Sequence, residues 1–311
     1  MKIVFLDTLS LGGDADLSPI ASLGDFLAYG DTLPEDVVER AAGAEAVIAN
    51  KVRLLREEID ALPALRLICI AATGMNNVDV EYARSHGIEV KNVAGYATGS
   101  VAEATFAMVL ALLRNVVYYD RYVKSGTYAA SGQWFHLGMP VGEIGRRRWG
   151  IIGLGAIGHR VAEIARMFGG EVAYHSTSGA NLSAPYPHRT LEQLLRESDI
   201  VSIHAPLNDA THALIGAREL AWMKPTALLV NAGRGKIVDE AALAAALDAG
   251  KLAGAGLDVF AREPLEADSP LLKISCPDRL VLAPHSAWSS AEARCTLIAA
   301  IADNIRSIFV K

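Results

Sequence analysis

The sequence predicts an α/β chain made of two Rossmann/flavodoxin-like parallel-sheet domains. Short apolar runs alternate with helical stretches over residues 1–97, and a second alternating series starts near Trp149. That spacing indicates parallel sheets covered on both faces. A glycine loop, Gly153-Leu154-Gly155-Ala156-Ile157-Gly158, sits between an apolar run and a helical pattern. The length, 311 residues, allows two domains with ample buried core.

In the first series, Ile3–Leu6, Ala46–Ala49, Leu67–Ala71 and Ile88–Val93 read as strands, and Pro34–Ala42 and Glu57–Leu62 as short helices. Ser100-Val101-Ala102-Glu103 has a capping-box pattern that would open a long apolar helix to Arg114. Residues 115–148, rich in Tyr, Gly and Arg, show little periodicity and read as an excursion serving subunit contact. The second series takes its strands from Trp149-Gly150-Ile151-Ile152, Glu171–Tyr174, Ile200–His204, Ala227–Asn231, Ala255–Val259 and Leu280–Ala283. The stretch Ala291–Val310 is helical and follows the completed second sheet, so it is expected to cross back onto the first domain.

The glycine loop lies in the context that gives such a motif meaning. Helical periodicity follows it, with Ile157, Val161, Ile164, Ala165 and Phe168 on one face and Gly169-Gly170 as a stop. Glycines there permit a tight turn and close backbone approach to a pyrophosphate at the helix N-terminus. In the last third of the chain, three strand-like runs lead to Arg234, Glu263 and His285. Ligands of open parallel sheets bind outside the carboxyl ends of the strands. A guanidinium fork suits a carboxylate, and an imidazole can give and take a proton near neutrality. Each residue alone has an ordinary reading, Arg234 as a surface residue, Glu263 as a solvated loop acid and His285 as a satisfied buried histidine; it is their joint placement that points to a site. His204, at a strand end, reads as structural, and His136 beside Trp134 is the other histidine with a path to a pocket.

Composition bounds the function. Half of the residues (51%) are hydrophobic, which suits a globular protein and excludes a disordered one. The net charge of −6, without a basic stripe, argues against a nucleic-acid or anionic-membrane partner. No apolar run has the length of a membrane span, and Met1–Asp7 reads as a strand rather than a leader. Cys69, Cys276 and Cys295 are scattered, without metal-type spacing, so no metal is expected and a reducing cytoplasm is the simplest setting.

Taken together, the glycine loop, Val230-Asn231-Ala232-Gly233-Arg234-Gly235, Leu257-Asp258-Val259-Phe260 with Glu263-Pro264, and Pro284-His285-Ser286-Ala287-Trp288 resemble the D-isomer-specific 2-hydroxyacid dehydrogenase family in order and spacing. The resemblance covers nearly the whole chain. It implies a substrate-binding lobe of residues 1–97 completed by a C-terminal helix in 288–311, a dinucleotide-binding Rossmann domain of 98–287, and an active-site cleft between them. Arg234 would grip the substrate carboxylate and polarise its carbonyl. His285 would be the acid/base, held and kept protonated by Glu263. Asp258 would face the nicotinamide carboxamide. Gly153, Gly155, Ala156, Ile157, Gly158, Ala205, Pro206, Thr211, Ala232 and Gly233 would line the cofactor. Thr73 and Gly74 would offer backbone amides to the carboxylate, and Trp288 would wall the pocket. The implied reaction interconverts a small D-2-hydroxy acid and its 2-oxo acid with NAD(H) or NADP(H), in a homodimer. Two rivals on the same fold are a cofactor-sensing corepressor and a dehydrogenase of another small anion, such as formate or phosphite.

The cofactor end departs from the pattern. An acid is expected about 20 residues beyond the glycines to bind the ribose hydroxyls. Here Val172-Ala173-Tyr174 leads instead to His175-Ser176-Thr177-Ser178. His175, Ser176 and Thr177 could take a 2′-phosphate, yet no arginine follows until Arg189, so the reading leans only slightly toward acceptance of NADP(H).

Overall fold

The computed structural model describes residues 1–182 and 185–310. The chain forms two compact units, Met1–Ala97 with the segment from Ser289 onward, and Thr98–Trp288.

The first unit holds five parallel strands, β1 (Lys2–Phe5), β2 (Asp25–Ala28), β3 (Ala46–Ala49), β4 (Leu67–Ile70) and β5 (Glu89–Lys91), in the order β2-β1-β3-β4-β5. The strands β3 and β4 are buried on both faces, as their continuous apolar runs demand. Strand β2 was not expected. It is an edge strand, largely exposed, whose only strand neighbour is β1, so no apolar run marks it. The expected helix Pro34–Ala42 begins as a 3-10 turn, Pro34–Asp36, before the α-helix Val37–Ala41. A further helix, Val80–Ser85, is capped by Asp79, whose carboxylate accepts the Tyr82 N–H; at six residues it is too short for periodicity to reveal. The helix Ala291–Phe309 packs on β4 and on the helix Ser18–Ala21, burying Leu297, Ile298, Ile301 and Ile305.

The second unit holds six parallel strands, β6 (Arg148–Ile152), β7 (Glu171–His175), β8 (Ile200–Ile203), β9 (Leu228–Asn231), β10 (Gly254–Leu257) and β11 (Leu280–Leu282), in the order β11-β10-β9-β8-β6-β7. From β6 the chain steps outward to β7 and then back to β8 on the other side. The β6–β8 boundary is therefore the switch point where such sheets bind ligands. Alternation sorts each strand's side chains into two cores. Ile152, Val201, Ile203 and Leu229 join Leu194, Leu220, Leu243 and Leu247. Trp149, Ile151, Ile200, Leu228 and Val230 join Phe106, Val109, Val161 and Ala165. Each such buried aliphatic side chain contributes about 1.5–3 kcal/mol.

One expectation fails here for a local reason. The long helix runs Thr98–Leu113, so Ser100 lies inside its first turn rather than at a cap. Its hydroxyl donates instead to the Ala287 carbonyl, 2.5 Å away. Residues 115–148, read as an excursion, contain helices Val116–Lys124 and Thr127–Ser131, neither with a buried residue. Trp134 and Leu137 beyond them are 93% and 80% exposed. The helix after the glycine loop, Ala156–Met167, stops before Phe168, which is half exposed and stacks on Phe106.

Candidate active site

Six loops at the carboxyl edge of the second sheet interlock. Gly153 follows β6 with φ +88°, and a Cβ there would lie 2.7 Å from the Ala205 N atom. A Cβ on Gly158 would lie 2.3 Å from the Gly153 carbonyl oxygen, so the helix can start this close to the strand only with glycine. Gly155 differs: nothing lies within 4 Å of its would-be Cβ. No side chain caps the first turn at Ala156 and Ile157. Unsatisfied N–H groups at a helix N-terminus beside open space suit an anion such as a pyrophosphate. After β8 come buried Ala205 and exposed Pro206. Thr211 is buried and its hydroxyl donates to the Pro206 carbonyl, 2.7 Å, so it shapes this loop from within.

At the end of β7 the His175 carbonyl accepts the Gly153 N–H at 3.0 Å. The His175 ring places Nδ1 3.1 Å from the Arg189 carbonyl. Ser176 and Thr177 follow, half-buried, and Asn181 donates its side-chain amide to the Leu154 carbonyl, 2.7 Å. This pins the 176–181 loop against the glycine loop. The Arg189 guanidinium is engaged by Glu197, 3.2 Å, and by the His188 carbonyl, 3.1 Å.

The loop after β9 is built by Asn231, fully buried. Its amide donates to the Arg234 carbonyl, 2.9 Å, and its carbonyl oxygen accepts the Gly233 N–H, 3.0 Å. Ala232 is half-buried within this turn, and a Cβ on Gly233 would come within 3.0 Å of the Ala205 carbonyl oxygen. Arg234 is half-buried, with Nη1 2.8 Å from the Gly233 carbonyl. Gly235 presses on the next loop: a Cβ would fall 1.9 Å from the Phe260 carbonyl carbon.

Beyond β10, Asp258 is buried and holds the segment that follows β11. Its carbonyl accepts the His285 N–H at 2.8 Å, and its carboxylate accepts the N–H groups of Ser286, 2.8 Å, and Ala287, 3.0 Å. Burial pushes the Asp258 carboxyl above its ordinary value, and those two N–H groups pull against that shift. His285 itself has φ +53°, a left-handed conformation that a side chain adopts only when its surroundings impose it. Its Nδ1 lies 2.7 Å from Glu263 Oε2, and Glu263 Oε1 accepts the Phe260 N–H at 3.0 Å. The imidazole and carboxylate are each about one-third exposed or less. A carboxylate facing Nδ1 keeps a proton on that nitrogen and leaves Nε2 for exchange.

The second unit thus brings together the glycine loop, Ala205, Gly233, Arg234, Asp258, Glu263 and His285 through successive contacts along one sheet edge. Trp288, half-buried, ends that unit. Thr73 and Gly74 belong to the first unit, in the loop after β4, where the Thr73 hydroxyl donates to the Val93 carbonyl, 2.9 Å. His204 is half-buried: its Nε2 meets Ser202 Oγ at 3.0 Å, and the Trp149 indole donates to the same oxygen at 2.8 Å. Desolvation drives its pKa down to about 3. His136 is stacked on Tyr122, 3.9 Å between centroids, with Tyr118 Oη 2.8 Å from its Nε2. Sequence reasoning missed the supporting roles of Ser100 and Asn231. The Asn231-Ala232-Gly233 turn was the available signal for Asn231; nothing local marks Ser100.

Comparison with known proteins fits this geometry. The family model for the NAD binding domain of D-isomer specific 2-hydroxyacid dehydrogenases matches residues 106–287. A glyoxylate reductase of Aeropyrum pernix is 43% identical over 282 residues, 87% of this chain and 82% of that protein. A glycerate dehydrogenase of Methylorubrum extorquens is 37% identical over 310 residues, 98% of this chain and 95% of that protein. The solved NADPH-dependent glyoxylate/hydroxypyruvate reductase of Sinorhizobium meliloti, in complex with NADP and malonate, superposes with a TM-score of 0.84 at 27% identity, covering 100% of this chain and 94% of that one.

Proposed function

The chain belongs to the D-isomer specific 2-hydroxyacid dehydrogenase family, as an NAD(P)-dependent oxidoreductase, and we propose that it interconverts a small D-2-hydroxy acid and its 2-oxo acid through Arg234, Glu263 and His285. The observation that supports this most is the 2.7 Å pairing of His285 Nδ1 with Glu263 at the sheet edge that also carries Arg234. The open space at Gly155 beside an uncapped helix N-terminus fits a dinucleotide pyrophosphate. The bound nicotinamide supplies or takes the hydride. His285, its Nδ1 occupied by Glu263, gives a proton to the carbonyl oxygen in reduction and takes it back in oxidation. Arg234 holds the substrate carboxylate with its planar fork and polarises the carbonyl. Asp258 orients the His285 segment and would be the residue to hold the nicotinamide carboxamide. Ala205, Pro206, Ala232 and Gly233 line the cofactor, with Thr211 holding the Pro206 loop from within, and Trp288 walls the substrate.

The substrates we assign are glyoxylate, hydroxypyruvate or pyruvate-like acids, in line with the names of the relatives. The exposed apolar residues Val116, Val117, Trp134, Phe135 and Leu137 are assigned to a homodimer contact. Among the described residues no single helix is long and apolar enough to cross a membrane. The test is an initial-rate panel of small 2-oxo acids with NADH and NADPH side by side. Turnover of at least one acid is expected, and none with either cofactor would overturn the reading.

A further inference from the structure

The end of β7 carries an imidazole where a ribose-binding acid is expected, and its hydrogen bonding defines what that imidazole can do. A carbonyl can only accept, so the 3.1 Å contact with the Arg189 carbonyl makes His175 Nδ1 the donor. That assigns Nε2 as the variable nitrogen, an acceptor when the ring is neutral and a second donor when it is cationic. Among the described residues the ring's hydrogen bond is the one at Nδ1. The position is fixed beside the glycine loop by the Gly153 N–H on the His175 carbonyl and by Asn181 on Leu154.

We propose that His175 selects between NADH and NADPH by its protonation state, accepting a ribose hydroxyl when neutral and donating to a 2′-phosphate when cationic. This rests on the assignment of this edge as the dinucleotide site. The groups around it leave the choice to the ring. Residues 153–158 and 176–182 contain no ionisable side chain. On the neighbouring segment, His188 stacks at 6.2 Å, and the Arg189 guanidinium is paired with Glu197 from the next helix. No arginine is therefore committed to a phosphate, and no carboxylate stands at 175–178 to repel one. The proton is taken from solvent and returned to it, so the step needs no other reactant.

The experiment measures dissociation constants of NADH and NADPH by nicotinamide fluorescence with the full chain, at about pH 6 and about pH 8.5. In the wild type, NADPH preference over NADH should rise roughly tenfold at the lower pH, the difference between a neutral and a charge-assisted hydrogen bond. The same ratio in His175→Gln should lack that rise. The 2′-phosphate of the free cofactor titrates too, at about pH 6, and does so whichever protein is present, so the difference between the two proteins reports the side chain at 175. Because NADH and NADPH share the nicotinamide half, an effect of His285 protonation on binding is common to both and cancels in the ratio. A wild-type ratio that does not change with pH, or one that changes equally in His175→Gln, overturns the switch while leaving the cofactor site in place. Unchanged affinity for both cofactors in a folded His175→Gln protein overturns the placement of the ribose at this strand end.

Discussion

Asp258 holds His285 by the backbone. The His285 N–H donates to the Asp258 carbonyl at 2.8 Å, while the Asp258 carboxylate takes the next two N–H groups in the chain. A left-handed histidine is kept in place by the residue that ends the neighbouring strand.

The first prediction follows from this. Asp258→Ala leaves two N–H groups without their acceptor, at a cost of about 1–3 kcal/mol each if they stay buried. Thermal unfolding should shift down, and kcat for reduction should fall even with cofactor saturating. A variant with normal kcat and an unshifted transition would refute the role of Asp258 in holding the segment.

His285→Ala should lower the reductive kcat by roughly two to four orders of magnitude, the range for losing a general acid. The dissociation constant of the cofactor should change little. Near-normal turnover would remove His285 from the mechanism.

Arg234→Lys keeps the charge but loses the fork. KM for the 2-oxo acid should rise and kcat should fall together, because the contact to the carbonyl strengthens as negative charge develops. Steady-state kinetics would place Arg234 outside the site if both constants stay at the wild-type values.

Two glycines separate folding from binding. Gly155→Ala meets nothing within 4 Å, so stability should hold while NAD(P)H affinity drops. Gly235→Ala puts a Cβ 1.9 Å from the Phe260 carbonyl carbon, so backbone must move, at about 1–3 kcal/mol or more. Urea unfolding and fluorescence titration of both variants measure the contrast. Equal behaviour would mean that the space at Gly155 is not where the cofactor lies.

His204 makes stability depend on acid. Its folded pKa, about 3, lies below the ordinary 6.5, so between these values the unfolded chain binds the extra proton. The histidine's contribution is fully present above 6.5 and is lost as pH falls toward 3. At pH 5 the loss is about 2 kcal/mol. Urea unfolding at pH 5 and pH 7.5 should show a smaller acid loss in His204→Gln than in the wild type, and an equal loss would refute the assignment.

What was legible in the sequence was whatever burial on both faces writes into it. The strands β3, β4, β8 and β9 read as continuous apolar runs, and Arg234, Glu263 and His285 could be placed from the strand ends. Edge and long-range features were not. Strand β2 exists because Asp25–Ala28 pairs with Lys2–Phe5, and its own residues face water. The Ser100–Glu103 pattern looks the same whether it caps a helix or sits within one, and the helix start at Thr98 decides. The need for glycine at 235 appears only when Phe260, distant in sequence, is brought against it. The order of Arg234, Glu263 and His285 was visible; the Asp258 scaffolding that holds His285 depends on contacts between separate strands, whereas the Asn231 turn that holds Arg234 is local.

The hydrogen bond from Ser100 to Ala287 joins the two ends of the second unit, which is inserted whole into the first. A ribosome therefore releases the second unit complete at Trp288, while the first still waits for Ala291–Phe309. Until that helix emerges, the apolar surface of β4 and of Ser18–Ala21 stays wet. Vectorial synthesis thus finishes the later unit before the earlier one. A nick between Trp288 and Ala291 would spare the unit with the glycine loop and strip the closing helix from the one that began the chain.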